Sequence, residues 1–378
     1  MTAFALGPED RKWCAELRAL TAERLRPLAE RGAAGRVNRP LVAALGELGL
    51  LRRVFPDDGP VRALDLCLLR ESLAQESTEA ETALALQGLG TYPVVQSGTA
   101  AQRERWLPEV VAGRAVAAFA LSEPDAGSDA AALALAAEPD GGPDAGRWRL
   151  TGEKCWISNA PEADFATVFA RTGGAGARGI TAFLVPAGRP GLSGEPLDML
   201  SPHPIGTLVF DGVPVTRDDV LGEVDRGFGV AMRTLNLFRP SVGAFAVGMA
   251  QAALDAALAH AATRTAFGGP LKDLQSVAHQ LAEVATRVES ARLLVYAAAT
   301  AYDSGAADIA KRAAMAKLLA TETAQYAVDT AVQVHGARAL RRGHLLEHLY
   351  REVRAPRIYE GATEVQRSIV AKELFRTG

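Results

Sequence analysis

Apolar and polar positions divide the chain into three textures. Up to about residue 115 the apolar positions recur at roughly helical spacing: Leu17, Leu20, Leu25 and Leu28, then Leu41-Val42, Leu45 and Leu48. Pro60 and Gly88-Leu89-Gly90 punctuate this part. From 116 to 222, short apolar runs are separated by Gly, Pro, Asp and Asn: Trp148–Leu150, Cys155–Ile157, Phe165–Ala170, Ile180–Val185 and Thr207–Phe210. Such runs predict the strands of a hairpin-rich β domain, with a turn at Pro139–Asp144. From 223 onward the chain is alanine-rich and helical again. Leu274, Val277, Leu281, Val284, Val288, Ala291 and Val295 step by three and four, the seam of a packed helix bundle. The pattern predicts a mainly α protein with a central β domain: helices over 1–115, a β-barrel or sandwich over 116–222, and a helical bundle over 223–378.

Composition bounds the function. The 378 residues leave room for two or three domains, and 48% apolar with 22% charged residues is ordinary globular usage. A net charge of -3 and a pI near 6.1 argue against a nucleic-acid footprint. Cys14, Cys67 and Cys155 lie far apart, which fits a reducing compartment better than a disulfide framework or a zinc ribbon. The start, MTAFALGPEDRKW, lacks a basic region followed by an apolar stretch, and the apolar run Val242–Ala250 is too short to span a bilayer. A cytoplasmic protein with no membrane or nucleic-acid partner is expected.

Two motifs look like chemistry and read better as structure. Gly174-Ala175-Gly176-Ala177-Arg178-Gly179 matches G-x-G-x-x-G, yet a strand-like run closed by Pro186 follows it, where a dinucleotide fingerprint needs a helix. The glycines therefore read as a turn between two strands. His344-Leu345-Leu346-Glu347-His348 matches H-x-x-E-H, with two imidazoles one helical turn apart. Arg341, Arg342 and Arg351 disfavour a dication there and nothing marks a third ligand, so no metal is expected; a zinc hydrolase is the alternative from another class.

Four other stretches carry candidate chemistry, each with a plainer alternative. Phe119-Ala120-Leu121-Ser122-Glu123-Pro124-Asp125-Ala126-Gly127-Ser128-Asp129 offers hydroxyls and backbone N–H groups to an anion or a ring of carbonyls, or is an ordinary capped turn. In Gly152–Ala160, Trp156 and Ser158 fall on one face of a strand, as a flat heteroaromatic ligand would need, or form a buried Trp with a bonded Ser. Arg264, before Phe267-Gly268-Gly269-Pro270 and Gln275, can present a guanidinium to a phosphate, or mark a helix end. Glu360 sits among uncharged neighbours just before a helix that Thr363 and Gln366 would open as a capping box. Desolvation there suits a general base; the plain reading is a carboxylate near a helix N-terminus.

Together these stretches resemble the acyl-CoA dehydrogenase family over nearly the whole length. LSEPDAGSD, EKCWISNA, RTAFGGPLKDLQ and IYEGATEVQR stand in the family's order, and Gly98-Thr99-Ala100-Ala101-Gln102 before Trp106-Leu107-Pro108 looks like its G-T-x-x-Q…L-P signature. The resemblance implies the acyl-CoA dehydrogenase fold with a C-terminal four-helix bundle. It implies FAD, lined by Phe119, Leu121, Ser122, Gly127, Ser128, Trp156 and Ser158, and met by Arg264, Phe267, Gln275, Gln333 and Gly336 of a neighbouring subunit in a homotetramer or dimer. Glu360 matches the catalytic base, with Arg239, Tyr359 and Gly361 beside the substrate. The implied reaction turns an acyl-CoA, or an acyl carrier protein thioester, into its 2,3-enoyl thioester, with an electron-transferring flavoprotein as electron partner. His335–Leu340 lacks the family's glycines, Asn236 replaces an Asp, Asp125 replaces a frequent Gly, and Phe238 leaves Glu360 as the base candidate. An oxidase of the same superfamily and a helical adaptor without flavin are the other readings.

Overall fold

A computed structural model describes residues 6–57, 59–141 and 145–375. Residues 142–144 of the expected turn at Pro139–Asp144, and the first five residues of the stretch inspected for a signal, lie outside the described residues. The helices of the first part are α1 (Pro8–Leu20), α2 (Arg26–Ala29), α3 (Arg39–Glu47), α4 (Leu50–Val54), α5 (Ala63–Glu76), α6 (Thr78–Ser97) and α7 (Ala100–Val111). The strands are β1 (Ala117–Ala120), β2 (Ala136–Pro139), β3 (Arg147–Ser158), β4 (Phe165–Arg171), β5 (Ile180–Pro186), β6 (Leu192–Ser193) and β7 (Ile205–Thr216). Then come α8 (Gly227–Thr263), the small hairpin β8 (Thr265–Ala266) and β9 (Gly269–Pro270), α9 (Gln275–Asp303), α10 (Ile309–His335), α11 (Leu345–Glu352) and α12 (Thr363–Leu374). The mainly α architecture around a central β part is the one expected.

The chain forms two compact units: the described residues of Met1–Arg26, Arg62–Glu81 and Asn236–Gly378 in one, and Pro27–Val61 with Thr82–Leu235 in the other. The second holds the seven-stranded sheet, in the order β1-β4-β2-β3-β7-β6, with β5 also paired to β4. β4 and β5 are apolar without alternation because both faces are buried. β7 alternates as a strand with one covered face does. The sheet curls around Leu150, Val168, Phe183, Phe210 and Val213. The GAGARG loop joins antiparallel β4 and β5: Gly176 has φ +80°, and a Cβ on Gly179 would collide with the Gly174 carbonyl. The glycines serve the turn.

Gly88–Gly90 does not break the chain as expected, since α6 runs through it. Gly90 is needed for contact instead: a Cβ there would lie 2.8 Å from the Ala117 carbonyl carbon. Buried Gln87 stitches α6 to β1, donating to the Ala115 carbonyl (2.6 Å) and accepting from the Ala117 N–H (2.9 Å). The G-T-x-x-Q stretch is a reciprocal helix cap: Thr99 Oγ accepts from the Gln102 N–H (3.2 Å), and Gln102 Oε1 from the Thr99 N–H (2.8 Å).

In the helical unit, the expected seam on α9 buries Leu281, Val284, Val288, Ala291 and Val295, while Leu274 and Val277 are only partly covered. α10 buries Ala313, Ala316, Ala320, Ala324, Ala327 and Ala331, small side chains that permit close helix packing. The run Val242–Ala250 is longer than its sequence suggested. It belongs to the 37-residue α8, which is long and apolar enough by composition to cross a membrane, but 72% of its most apolar window is buried inside the protein.

Candidate functional site

Glu360 lies in the turn between α11 and α12, in the helical unit. It has φ +51° and the following Gly361 has φ +98°. A non-glycine residue held in that region costs about 1–3 kcal/mol, so the surroundings must enforce it. They do so through the carbonyls. Arg239 Nε (3.1 Å) and Gln366 Nε2 (3.2 Å) donate to the Glu360 carbonyl, and Gln366 Nε2 (2.8 Å) and Lys317 Nζ (2.7 Å) donate to that of Gly361. Held this way, the Glu360 carboxylate keeps Oε2 buried with no hydrogen-bond partner among the described residues. Burial pushes its pKa up from the ordinary value, against the pull of Arg70, Arg239 and Lys317. A buried, unpartnered carboxylate with raised proton affinity can take a proton near neutral pH.

The expected capping box at Thr363 and Gln366 is not formed. Thr363 is the first residue of α12 and its hydroxyl donates to Glu322 Oε1 (3.0 Å), while Gln366 turns back onto the catalytic loop. The substrate candidates sit around the same turn. Arg239 is buried, bonded to the Glu360 carbonyl and to Asn236 Oδ1 (3.4 Å); Tyr359 is 37% exposed.

The sheet unit gathers the other candidates. Phe119, on β1, is half-buried and its ring lies 5.0 Å from that of Phe169. Glu123 and Ala126 exchange both backbone hydrogen bonds (3.2 Å each), closing the turn after Leu121 and Ser122. That turn is braced to β3 by a buried ion pair. Lys154 Nζ donates to Glu123 Oε1 (2.8 Å) and to the Leu121 carbonyl (3.0 Å), and the Cys155 N–H donates to the Ser122 carbonyl (3.0 Å). Burial pushes the Lys154 pKa down to about 8, against the pull of Glu123.

Trp156 corrects the expected flat strand. It has φ +57°, and the β3–β7 register shifts between Lys154 and Ile157, so a bulge rather than the regular pleat turns it out. Cys155 and Ile157 are buried, Ser158 is half-buried, and Trp156 is 50% exposed, which removes the reading of a buried Trp. These residues fit a flat ring and a diphosphate: an indole plate stands open, and a Cβ added at Gly127 would meet nothing within 4 Å. Ser128 is exposed beside it. A separate groove of about 750 Å³, lined in part by Gln102, Arg105, Trp106, Arg189, Arg217 and Asp219, contains none of the expected site residues.

Arg264 follows α8, and Phe267 (φ +53°, 95% exposed) tips the β8–β9 hairpin before Gln275 opens α9. Gln333 and Gly336 lie at the end of α10; Gly336 has φ +64°. The H-x-x-E-H residues are otherwise engaged. His344 precedes α11 and its Nδ1 accepts from the Leu346 N–H (3.1 Å), Glu347 pairs with Arg351 (2.9 Å), and His348 lies 2.6 Å from the Thr78 hydroxyl. Among the described residues no group of three or more His, Cys, Asp or Glu is placed to hold a metal.

Sequence reasoning missed Lys317, Lys154 and Glu123. The available signal was a lone charge on an apolar face: Lys317 among the alanines of α10, and Lys154 on the same side of β3 as Leu150.

Profiles of the acyl-CoA dehydrogenase N-terminal, middle and C-terminal domains match residues 7–114, 118–213 and 225–375. Cyclohexane-1-carbonyl-CoA dehydrogenase of Geobacter metallireducens is 34% identical over 368 residues, 95% of this chain and 96% of that one. The mitochondrial short-chain specific acyl-CoA dehydrogenase of Bos taurus is 39% identical over 89% of this chain and 82% of its own. The solved structure of butyryl-CoA dehydrogenase from Megasphaera elsdenii superposes with a TM-score of 0.90 at 33% identity, covering 99% of this chain and 100% of that chain. With a clamped, unpartnered glutamate in one unit and an open indole plate in the other, the chain belongs to the acyl-CoA dehydrogenase family, FAD-dependent oxidoreductases acting on CH–CH bonds.

Proposed function

We propose that the protein catalyses α,β-dehydrogenation of an acyl thioester, with Glu360 as the base. The observation that carries this reading is the buried, unpartnered Oε2 of Glu360 on a turn fixed by four hydrogen bonds. The Glu360 carboxylate takes the α-proton. The backbone N–H of Glu360 steadies the negative charge that develops on the thioester oxygen. FAD, when bound, supplies the acceptor for the β-hydride, so the substrate leaves as its 2,3-enoyl thioester. Phe119, Leu121, Ser122, Gly127, Ser128, Trp156 and Ser158 hold the cofactor, joined by Arg264, Phe267, Gln275, Gln333 and Gly336 of a neighbouring copy. Arg239, Tyr359 and Gly361 shape the substrate side.

In this reading segments 1–115, 116–222 and 223–378 are the functional parts, and the assembly is a homotetramer or dimer. The acyl carrier is coenzyme A, with an acyl carrier protein as the alternative that Asn236 motivates. Electrons pass on to an electron-transferring flavoprotein. The three free, buried cysteines fit the cytoplasm. Anaerobic titration with a panel of acyl-CoAs and one acyl carrier protein thioester, followed by flavin absorbance, tests the reading. Bleaching by one class, lost in Glu360→Gln with flavin retained, is expected. A protein that stays colourless after FAD reconstitution refutes it, and stoichiometric peroxide in air would mark an oxidase instead.

A further inference from the structure

Lys317 is fully buried, at 0% relative exposure. It lies on α10 among Ala313, Ala314, Ala316 and Ala320. Taking an ammonium out of water costs several kcal/mol unless a carboxylate compensates it. Among the described residues no carboxylate oxygen forms an ion pair with Lys317, and its one side-chain hydrogen bond goes to a neutral carbonyl, that of Gly361. Its nearest candidate partner on the same helix, Glu322, is engaged by Arg357 (3.1 Å) and Thr363 (3.0 Å). An apolar side chain would fill this place at less cost. The charge is therefore spent on one peptide group, and that group adjoins the proposed base.

We propose that Lys317 is a positioning residue for the reaction: its ammonium locks the Glu360–Gly361 turn and biases the Glu360 carboxylate toward the ionised, proton-accepting form without pairing with it. The proposal rests on Glu360 being the base. Geometry supplies the first half. Lys317 and Gln366 share the Gly361 carbonyl, Gln366 and Arg239 share that of Glu360, and both residues of the turn hold positive φ. Electrostatics supplies the second. Besides Arg239 and Arg70, Lys317 is the cation that draws the Glu360 pKa down against burial. The charged groups that face Lys317 are Glu360, Arg239, Glu322 and Glu364; burial holds its own pKa down to about 8, so it is protonated at neutral pH. A direct ion pair would have occupied the oxygen that must accept the proton. A cation one carbonyl away leaves that oxygen vacant.

Three variants separate bond from charge. Lys317→Arg keeps the charge, Lys317→Gln keeps a donor without charge, and Lys317→Met removes both. Each is purified as the flavin-loaded protein and checked for Tm and flavin per chain. The pH profile of kcat/KM is then measured with the acyl-CoA that bleaches the wild type, beside Glu360→Gln. The acid limb is expected to move to higher pH by about half a unit or more in both Gln and Met, because a cation that stabilised the carboxylate is gone. It stays in place in Arg. Turnover falls by about tenfold more in Met than in Gln, with KM little changed, because only Met also loses the bond. An acid limb unmoved in Gln and Met overturns the proposal, as does a loss of turnover that merely follows lost flavin or lowered Tm. Full activity of Glu360→Gln overturns the base assignment, and Lys317's role with it; an inactive Glu360→Gln beside an unmoved limb overturns Lys317 alone.

Discussion

Lys154 in the sheet unit and Lys317 in the helical unit are both fully buried, and burial lowers both pKa values to about 8. They differ in what they face. Lys154 has a carboxylate, Glu123, whose two oxygens also accept the backbone N–H groups of Ala134 (2.6 Å) and Leu135 (2.9 Å). Lys317 has a carbonyl. A closed pair braces a loop and has no proton-accepting oxygen to spare. An open arrangement keeps a carboxylate reactive. The same residue type therefore serves rigidity in one unit and chemistry in the other, and the presence or absence of a counter-charge decides which.

Four changes break or sharpen that contrast. Glu360→Gln should reduce turnover by at least about 10³-fold while flavin absorbance stays, because the general base is gone and the clamp acts on backbone carbonyls that the variant keeps. Glu123→Ala should cost about 3–5 kcal/mol in urea unfolding, since it strands a buried ammonium. The double variant Glu123→Leu with Lys154→Met should recover most of that loss, and a double variant as unstable as the single one would show that the pair is not the cause. Gly361→Ala should cost about 1–3 kcal/mol, because φ +98° disfavours a side chain and the new Cβ would collide with Gln366 Nε2. Stability equal to wild type would show that the turn relaxes.

A last test is of pH. A lysine whose pKa falls from 10.5 to about 8 on folding binds fewer protons folded than unfolded between those values. Its burial penalty is therefore relieved as pH rises from 8 toward 10.5 and is fully present below 8. The Tm of the wild type relative to Lys317→Met should rise over that window, and a flat difference would place the shift elsewhere.

Much of this was legible in the chain. Strands such as Ile180–Val185, the α9 seam and the position of Glu360 before α12 follow from local period and turn chemistry, which neighbouring residues determine. The Gly88–Gly90 stretch misled because the same glycine that ends a helix also lets another backbone approach one, and only the position of Ala117 distinguishes these. Thr363 and Gln366 have capping-box spacing, yet Glu322, far along the sequence, takes the Thr363 hydroxyl, and the Glu360 and Gly361 carbonyls of the preceding turn take the Gln366 amide. The bulge at Trp156 depends on a register slip against β7. Lys317, Lys154 and Glu123 meet partners tens of residues away, so the chain shows a lone charge on an apolar face for the lysines without showing what it meets.

The open indole of Trp156 also makes the protein its own optical gauge. The chain has four tryptophans; Trp106 is 9% exposed and lies against the Phe165 ring, whereas Trp156 presents half its surface. An aromatic ligand seated on that face should quench Trp156 emission first. Occupancy can then be followed by fluorescence as cofactor is stripped and restored, with Trp156→Phe as the blank.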